Sequence, residues 1–247
     1  IDRLQAIYRR LLAGANATIF DGRAVMVDAH TIEVGGQRVT AEKIVIATGG
    51  HPVRPNIPGA ELGIISDDAF YLPKMPRKVA IVGSGYIAVE FAGIFQALGA
   101  EVHLIYRQPL PLRGFDQDMR EGLAEALAAQ GVTLHPGCVP NKVEADGEGR
   151  ILHFGAGEIL ACDLVFFATG RRPSTSGLGL DKAGVAVNAG GAVIVSDSLQ
   201  TSQPHIYAMG DVTDRVNLTP VATAEGHAVA DTLFGKNPRG VSLKNVP

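Results

Sequence analysis

The stretch "KVAIVGSGYIAVEFAGIFQALGAEVHLIYR", residues 78–107, decides the fold. It opens with an apolar run, turns at Gly83-Ser84-Gly85, and continues through "YIAVEFAGIFQALG" with apolar residues at helical spacing. It closes in a second apolar run, "VHLIYR". A strand, a Gly-rich turn, a helix and a parallel strand within about 30 residues make a βαβ unit. Helical periodicity in "QDMREGLAEALAAQG" and a strand-like "VTLHPG" extend the alternation downstream. This pattern predicts an α/β fold built on a parallel sheet.

The turn carries Gly83, Gly85 and Ala88 in Gly-x-Gly-x-x-Gly/Ala spacing. The first Gly permits the tight turn, and the second lets the backbone approach a pyrophosphate. The small third residue lets helix pack on strand, and the free N–H groups of the helix start face the phosphates. Gly83, Ser84, Gly85, Ile87 and Ala88 are therefore candidate dinucleotide-binding residues. The spacing alone is weak evidence, because a ligand-free strand–turn–helix satisfies it too; its place inside a βαβ unit is the confirming context. An NAD site wants an acid about 20 residues on, at the end of the second strand. Here the strand ends in Arg107, with Arg113 beyond, while Glu101 sits at the strand's far end. Guanidinium groups bind a 2′-phosphate that a carboxylate would repel, so NADP is favoured over NAD. The competing reading is that both arginines are ordinary surface charges.

The chain also repeats itself. Residues 45–50 read "VIATGG" and residues 165–171 read "VFFATGR", and each follows two alternating apolar runs joined by a Gly-containing turn. A hairpin feeding a buried strand is expected twice, which points to two related domains. Gly83 precedes Ala168 by 85 residues, whereas only 46 residues precede Ala47, and none of these contains a comparable Gly-rich turn. The first domain's own turn is thus expected upstream of this chain. The Pro-rich "HPVRPNIPG" at 51–59 reads as a domain crossing. Three segments follow: 1–50 as the truncated start of one nucleotide-binding domain, 51–172 as a second, and 173–247 as the return to the first. Residues 1–13 predict an amphipathic helix carrying Leu4, Ile7, Tyr8, Leu11 and Leu12 on one side, and "ATIFDGRAVMVD" predicts short strands. The stretch "PVATAEGHAVADTLFG" predicts a final helix.

The 247 residues are 46% hydrophobic and 19% charged, enough to bury a core, and the formal charge of −3 offers no footprint for nucleic acid or a membrane surface. No apolar run approaches the roughly 20 residues that span a bilayer. The chain opens "IDRLQAIYRR" without a Met and reads as a piece of a longer protein. Two cysteines, Cys138 and Cys162, do not support a disulfide framework and fit a reducing, cytoplasmic setting. The seven histidines form no metal-like spacing.

The set "GSGYIAVEFAGIFQALG", "YRQPLPLRGFD", "ATGRRP" and "IYAMGD" with "NLTPVA" resembles the flavin-dependent pyridine nucleotide–disulfide reductases, in particular their bacterial glutathione-reductase branch. The resemblance covers nearly the whole chain and implies two nucleotide-binding domains, each with a parallel sheet, helices and an antiparallel meander. It implies NADPH and FAD as cofactors, a small-molecule disulfide (oxidised glutathione) as substrate and a homodimeric parent. By the same resemblance, Gly170 and Arg171 join the NADPH site, and Ala24, Thr48, Gly49, Asp211 and Thr219 the FAD site. Asp211 would meet the ribityl chain, Thr219 the isoalloxazine edge and Ala24 the adenine. Tyr86 would gate the flavin, Glu90 would pair with a lysine beside it, and Tyr8 would contact glutathione. Elsewhere Glu90 is simply a carboxylate favoured near a helix start, and Tyr8 a core aromatic.

The chain departs from the pattern in three ways. The family's redox-active pair is Cys-x-x-x-x-Cys, and Cys138 and Cys162 are too far apart to form it; both read as structural thiols. The C-terminal dimer domain with its His-Glu pair has no counterpart, so the chain alone is expected to be inactive. His227 stands where some glutathione reductases carry a substrate-contacting arginine, which weakens the case for glutathione. A trypanothione- or mercuric-type reductase and a non-catalytic NADPH-binding piece remain the alternatives.

Overall fold

A computed structural model describes residues 2–244 and 246. The chain divides into two compact units, one made of residues 1–50 with 172–247 and the other of residues 51–171. The division falls between Arg171 and Arg172, one residue before the end expected for the second segment.

The first unit opens with helix α1 (Asp2–Gly14), followed by strands β1 (Ala24–Met26), β2 (Thr31–Val34), β3 (Gln37–Thr40) and β4 (Ile44–Ile46). The short strand β5 (Gly50–Pro52) follows at the first crossing. The second unit holds α2 (Ser66–Ala69), β6 (Lys78–Val82), α3 (Tyr86–Ala97), β7 (Glu101–Tyr106), α4 (Gln117–Ala129) and β8 (Thr133–Pro136). It continues through β9 (Lys142–Asp146), β10 (Gly149–His153), β11 (Ile159–Cys162) and β12 (Leu164–Phe167). After β13 (Arg171–Pro173) at the second crossing, the chain returns to the first unit with β14 (Ile206–Ala208) and α5 (Thr219–Leu233).

In the second unit, β12-β6-β7-β8 form a four-stranded parallel sheet. Its strands read as unbroken apolar runs because both faces are covered. Val79, Ile81, Val102, Leu104 and Phe166 pack with Ala88, Ala92 and Phe95 of α3 and Leu127 of α4. Ala80, Val82, Ile105, Val165 and Phe167 turn the other way, against Val143, Leu152 and Cys162 of the antiparallel β11-β10-β9 meander. Ala88, Ala92 and Phe95 recur at helical spacing, which aims one stripe of α3 at the sheet. Asp116 caps α4, its carboxylate accepting from the N–H groups of Asp118 (3.0 Å) and Met119 (3.3 Å).

The first unit carries the matching parts in smaller form. Strands β1-β2-β3 make an antiparallel meander, and β4 pairs in parallel with β14. Ile44, Ile46, Ile206, Ala208 and Val212 form the core with Met26, Leu178 and Val185. The alternation in β4 leaves Val45 41% exposed while its neighbours are buried.

Two expectations change. Within residues 17–28 only Ala24–Met26 becomes a strand: the Ala17 N–H turns back to the Leu12 carbonyl (3.0 Å), and Ile19 and Phe20 stay exposed. A strand needs a neighbour for its backbone groups, and none lies beside these residues among those described. Helix α1 forms over nearly the expected span, Ile1 lying outside the described residues, but none of its residues is buried. Tyr8 is 65% exposed, so it is not a core aromatic.

Candidate functional site

The strongest site geometry lies at the carboxyl ends of the second unit's parallel strands. A cleft of about 450 Å³ is lined there by the Gly83–Gly85 turn, by Arg107 and Arg113, by Cys138–Pro140 and by Ala168–Gly170. Crevices at that end of an open α/β sheet are where such folds take ligands. Gly83 has φ +139°, and a Cβ on it would stand 2.3 Å from the Ala168 carbonyl oxygen, so no other residue fits. Its N–H donates to the Ile105 carbonyl at 2.9 Å, which holds the turn against β7. Gly85 is the N-cap of α3, no side chain caps it, and a Cβ there would meet nothing within 4 Å. The N-cap therefore stands beside open space and contributes no side-chain cap, which suits a pyrophosphate.

Arg107 and Arg113 are both exposed on this cleft, and among the described residues no acidic side chain lines it. The backbone N–H of Leu112 donates to the Ser84 carbonyl at 2.8 Å, so the loop carrying Arg113 is tied to the Gly-rich turn. Tyr106, also lining the cleft, has its phenol raised by burial and stays neutral at ordinary pH. Cys138, half-buried, lines the cleft as well. Cys162 points into the core, where burial pushes its thiol up to about 11.

The other expected residues divide. Ala88 is fully buried under the sheet and Ile87 packs against the same core, so both shape the helix–strand contact and line no part of the cleft. Tyr86 opens α3 and is 39% exposed; Glu90 lies one turn on and is exposed. Arg171 follows the cleft-lining Gly170.

In the first unit, Thr48, Gly49 and Asp211 gather at the ends of β4 and β14. The Thr48 hydroxyl donates to the Ser174 carbonyl (2.9 Å), and the Ser174 N–H donates to the Gly49 carbonyl (2.9 Å). A Cβ on Gly50 would lie 3.4 Å from the Asp211 Cβ, so the Asp211 side chain starts directly beside the turn. Asp211 sits in a short 3-10 turn, Gly210–Thr213, and Thr219 begins α5, exposed. Ala24 belongs instead to the meander, paired opposite Val34. His227 is exposed on α5 and Tyr8 on α1. The unit's sequence has no Gly-x-Gly-x-x-Gly of its own.

Sequence reasoning missed Gln108, Val139, Pro140 and Glu225 and took Cys138 as merely structural. Glu225 is 1% exposed on α5; its Oε2 accepts from the Gly210 N–H at 2.7 Å, and its Oε1 lies 3.4 Å from Arg215 Nη1. A carboxylate one residue before a glycine in a helical run gave no local signal of burial. Among the described residues no cluster could hold a metal, and no helix is long and apolar enough to cross a membrane.

An α/β unit with a Gly-rich turn and two arginines, in one chain with a second unit carrying a Gly-Asp turn, defines a nucleotide-linked redox protein. The pyridine nucleotide-disulphide oxidoreductase family matches residues 1–226, and the chain belongs to that family. FAD and NADPH are the cofactors this membership implies. The chain is 46% identical over 247 residues to a glutathione reductase of Burkholderia cepacia, covering 100% of this chain and 55% of that protein. It is 44% identical over 248 residues to the chloroplastic/mitochondrial glutathione reductase of Pisum sativum, covering 100% of this chain and 45% of that one. The HOCl-induced flavoprotein disulfide reductase RclA of Escherichia coli superposes with a TM-score of 0.92 at 32% identity, over 97% of this chain and 56% of that one. The chain spans about half the length of the curated relatives it matches.

Proposed function

We propose that this chain supplies the NADPH site and part of the FAD site of a disulfide reductase of the glutathione-reductase type. The observation that carries the reading is the cleft in which the Gly83–Gly85 turn and two arginines converge with no acid at the end of β7. NADPH contributes a hydride and FAD the electron relay toward a disulfide when both are bound. The uncapped start of α3 holds the pyrophosphate by its N–H groups, and Arg107 and Arg113 grip the 2′-phosphate. Gly170 lines the same cleft after the end of β12, and Arg171 follows it in the chain toward the same nucleotide. Tyr86 shields the flavin side until nicotinamide arrives, and Glu90 orients a lysine beside the flavin.

Thr48, Gly49 and Asp211 hold the ribityl end of FAD, Thr219 borders its ring and Ala24 its adenine. Tyr8 and His227 belong to the disulfide-binding side, with oxidised glutathione the substrate, a homodimer the assembly and the cytoplasm the compartment. The two unpaired thiols suit that compartment.

Titration of NADPH and NADH into the chain, and into Arg107→Glu/Arg113→Leu, tests the reading. A charge-assisted hydrogen bond is worth about 1.5–3 kcal/mol, so the preference for NADPH should fall about tenfold or more. An unchanged preference rules the assignment out.

A further inference from the structure

Arg113, one of the two arginines lining the cleft, stands on a loop that is not rigid by composition alone. The segment "QPLPLRGF" (108–115) joins β7 to α4; Pro109 and Pro111 stiffen it but have no N–H to bond. Its carbonyls are met by a single side chain on α4. Arg120 Nε donates to the Pro111 carbonyl at 2.8 Å, and Arg120 Nη2 donates to the Leu110 carbonyl at 3.0 Å. Nη1 reaches Gln117 Oε1 at 3.4 Å, which steadies the guanidinium on its own helix. From the opposite side the Leu112 N–H is held by the Ser84 carbonyl (2.8 Å), and within the loop the Phe115 N–H donates to the Leu112 carbonyl (3.1 Å). Leu112 sits at φ +51° and Gly114 at φ +94°. A left-handed leucine is strained and persists only where its surroundings hold it.

Residues 110–112 are thus pinned between α4 and the Gly-rich turn, and the next residue, Arg113, projects into the cleft. We propose that Arg120 is a positioning residue for NADP selectivity: its planar fork fixes the loop so that Arg113 is preorganised for a 2′-phosphate. The proposal rests on the reading of the cleft as an NADPH site. Affinity gained through a fixed loop comes from ordering that need not occur on binding. A lysine at 120 keeps the charge but cannot donate in a fixed fork to two neighbouring carbonyls.

The test uses the full chain and two probes, adenosine 2′,5′-bisphosphate and adenosine 5′-monophosphate, with calorimetric affinities and thermal unfolding for each variant. Arg120→Lys should weaken the bisphosphate about tenfold while the monophosphate changes less than about twofold. Arg113→Ala with Arg120→Lys should be no weaker than Arg113→Ala alone, because Arg120 acts through Arg113. Equal losses for both probes, or additive losses in the double variant, would overturn the inference. So would an unchanged bisphosphate affinity in Arg120→Lys. If the unmodified chain itself does not discriminate between the probes, the NADPH reading of the cleft fails first, and the role of Arg120 with it.

Discussion

The two Ala-Thr-Gly strand ends are built alike and end differently. After β4, Thr48 donates to the Ser174 carbonyl; after β12, Thr169 donates to the Val53 carbonyl at 2.8 Å. The closing glycines both have positive φ, +68° at Gly49 and +135° at Gly170. Each end also lies beside a parallel strand that finishes in glycine: Met209 N–H bonds to the Ile46 carbonyl before Gly210, and Ala168 N–H bonds to the Val82 carbonyl before Gly83. The difference is in where the donors go. The Gly210 N–H is consumed by the buried Glu225 carboxylate, whereas the start of α3 after Gly83 carries no side-chain cap. The first strand end is thus a braced turn that presents a side chain, Asp211, whereas the second leads into a helix start whose N-cap glycine brings no side-chain cap.

The largest effect expected from breaking this contrast is at Glu225. Replacing it with Ala strips the partner from Arg215 and from the Gly210 N–H, and losing one side of a buried pair costs about 3–5 kcal/mol. Chemical denaturation should show that loss, with Glu225→Gln intermediate because the amide oxygen still accepts from Gly210. The matching change at exposed Glu90 should stay within about 0.5 kcal/mol.

Next come the glycines. Gly83→Ala forces a Cβ against the Ala168 carbonyl and a φ that L residues avoid, so it should cost about 3 kcal/mol and abolish nucleotide binding. Gly49→Ala meets nothing within 4 Å at φ +68° and should cost about 1 kcal/mol. Thermal unfolding of the two variants side by side measures the difference.

The thiols sharpen the comparison further. Iodoacetamide at pH 8 should modify Cys138, which lines the cleft, and spare Cys162, whose thiol is buried and raised to about 11. Saturating NADPH should slow modification of Cys138; peptide mass mapping reads both outcomes.

The smallest effect is acid lability at the far end of the parallel sheet. Asp163 accepts from the N–H groups of Arg77 (2.8 Å) and Lys78 (3.0 Å), and these bonds, that from Lys78 foremost, hold its carboxyl below 3.8. Its contribution is present above 3.8 and is lost as pH falls through the lower folded value. Asp163→Asn should flatten the stability–pH curve in that acid range and leave the neutral-pH slope unchanged.

Much of the fold was legible because it is written locally. The period-two runs, the glycine spacing at 83–88 and the helical stripe of Ala88, Ala92 and Phe95 each lie within a dozen residues. Of the short strands expected through 17–28, only Ala24–Met26 formed, because alternation alone supplies no hydrogen-bonding neighbour. Of the candidate site, Gly83, Gly85, Arg107 and Arg113 could be read from spacing along one βαβ unit. Cys138 and Pro140 could not, since they reach the cleft only because β8 lies beside β7 in the sheet.

The sequence by itself determined which segments become strands and helices, and where a dinucleotide turn sits, because side-chain periodicity and glycine conformational freedom act over a few residues. Tertiary structure alone decided that Ala88 packs in the core and lines no part of the cleft, that Tyr8 is exposed, and that Arg120 holds the loop bearing Arg113. It also decided that Glu225 uses up the Gly210 donor. Each of these depends on which groups meet across the chain, and that is set by the packing order of the sheet and not by any local pattern.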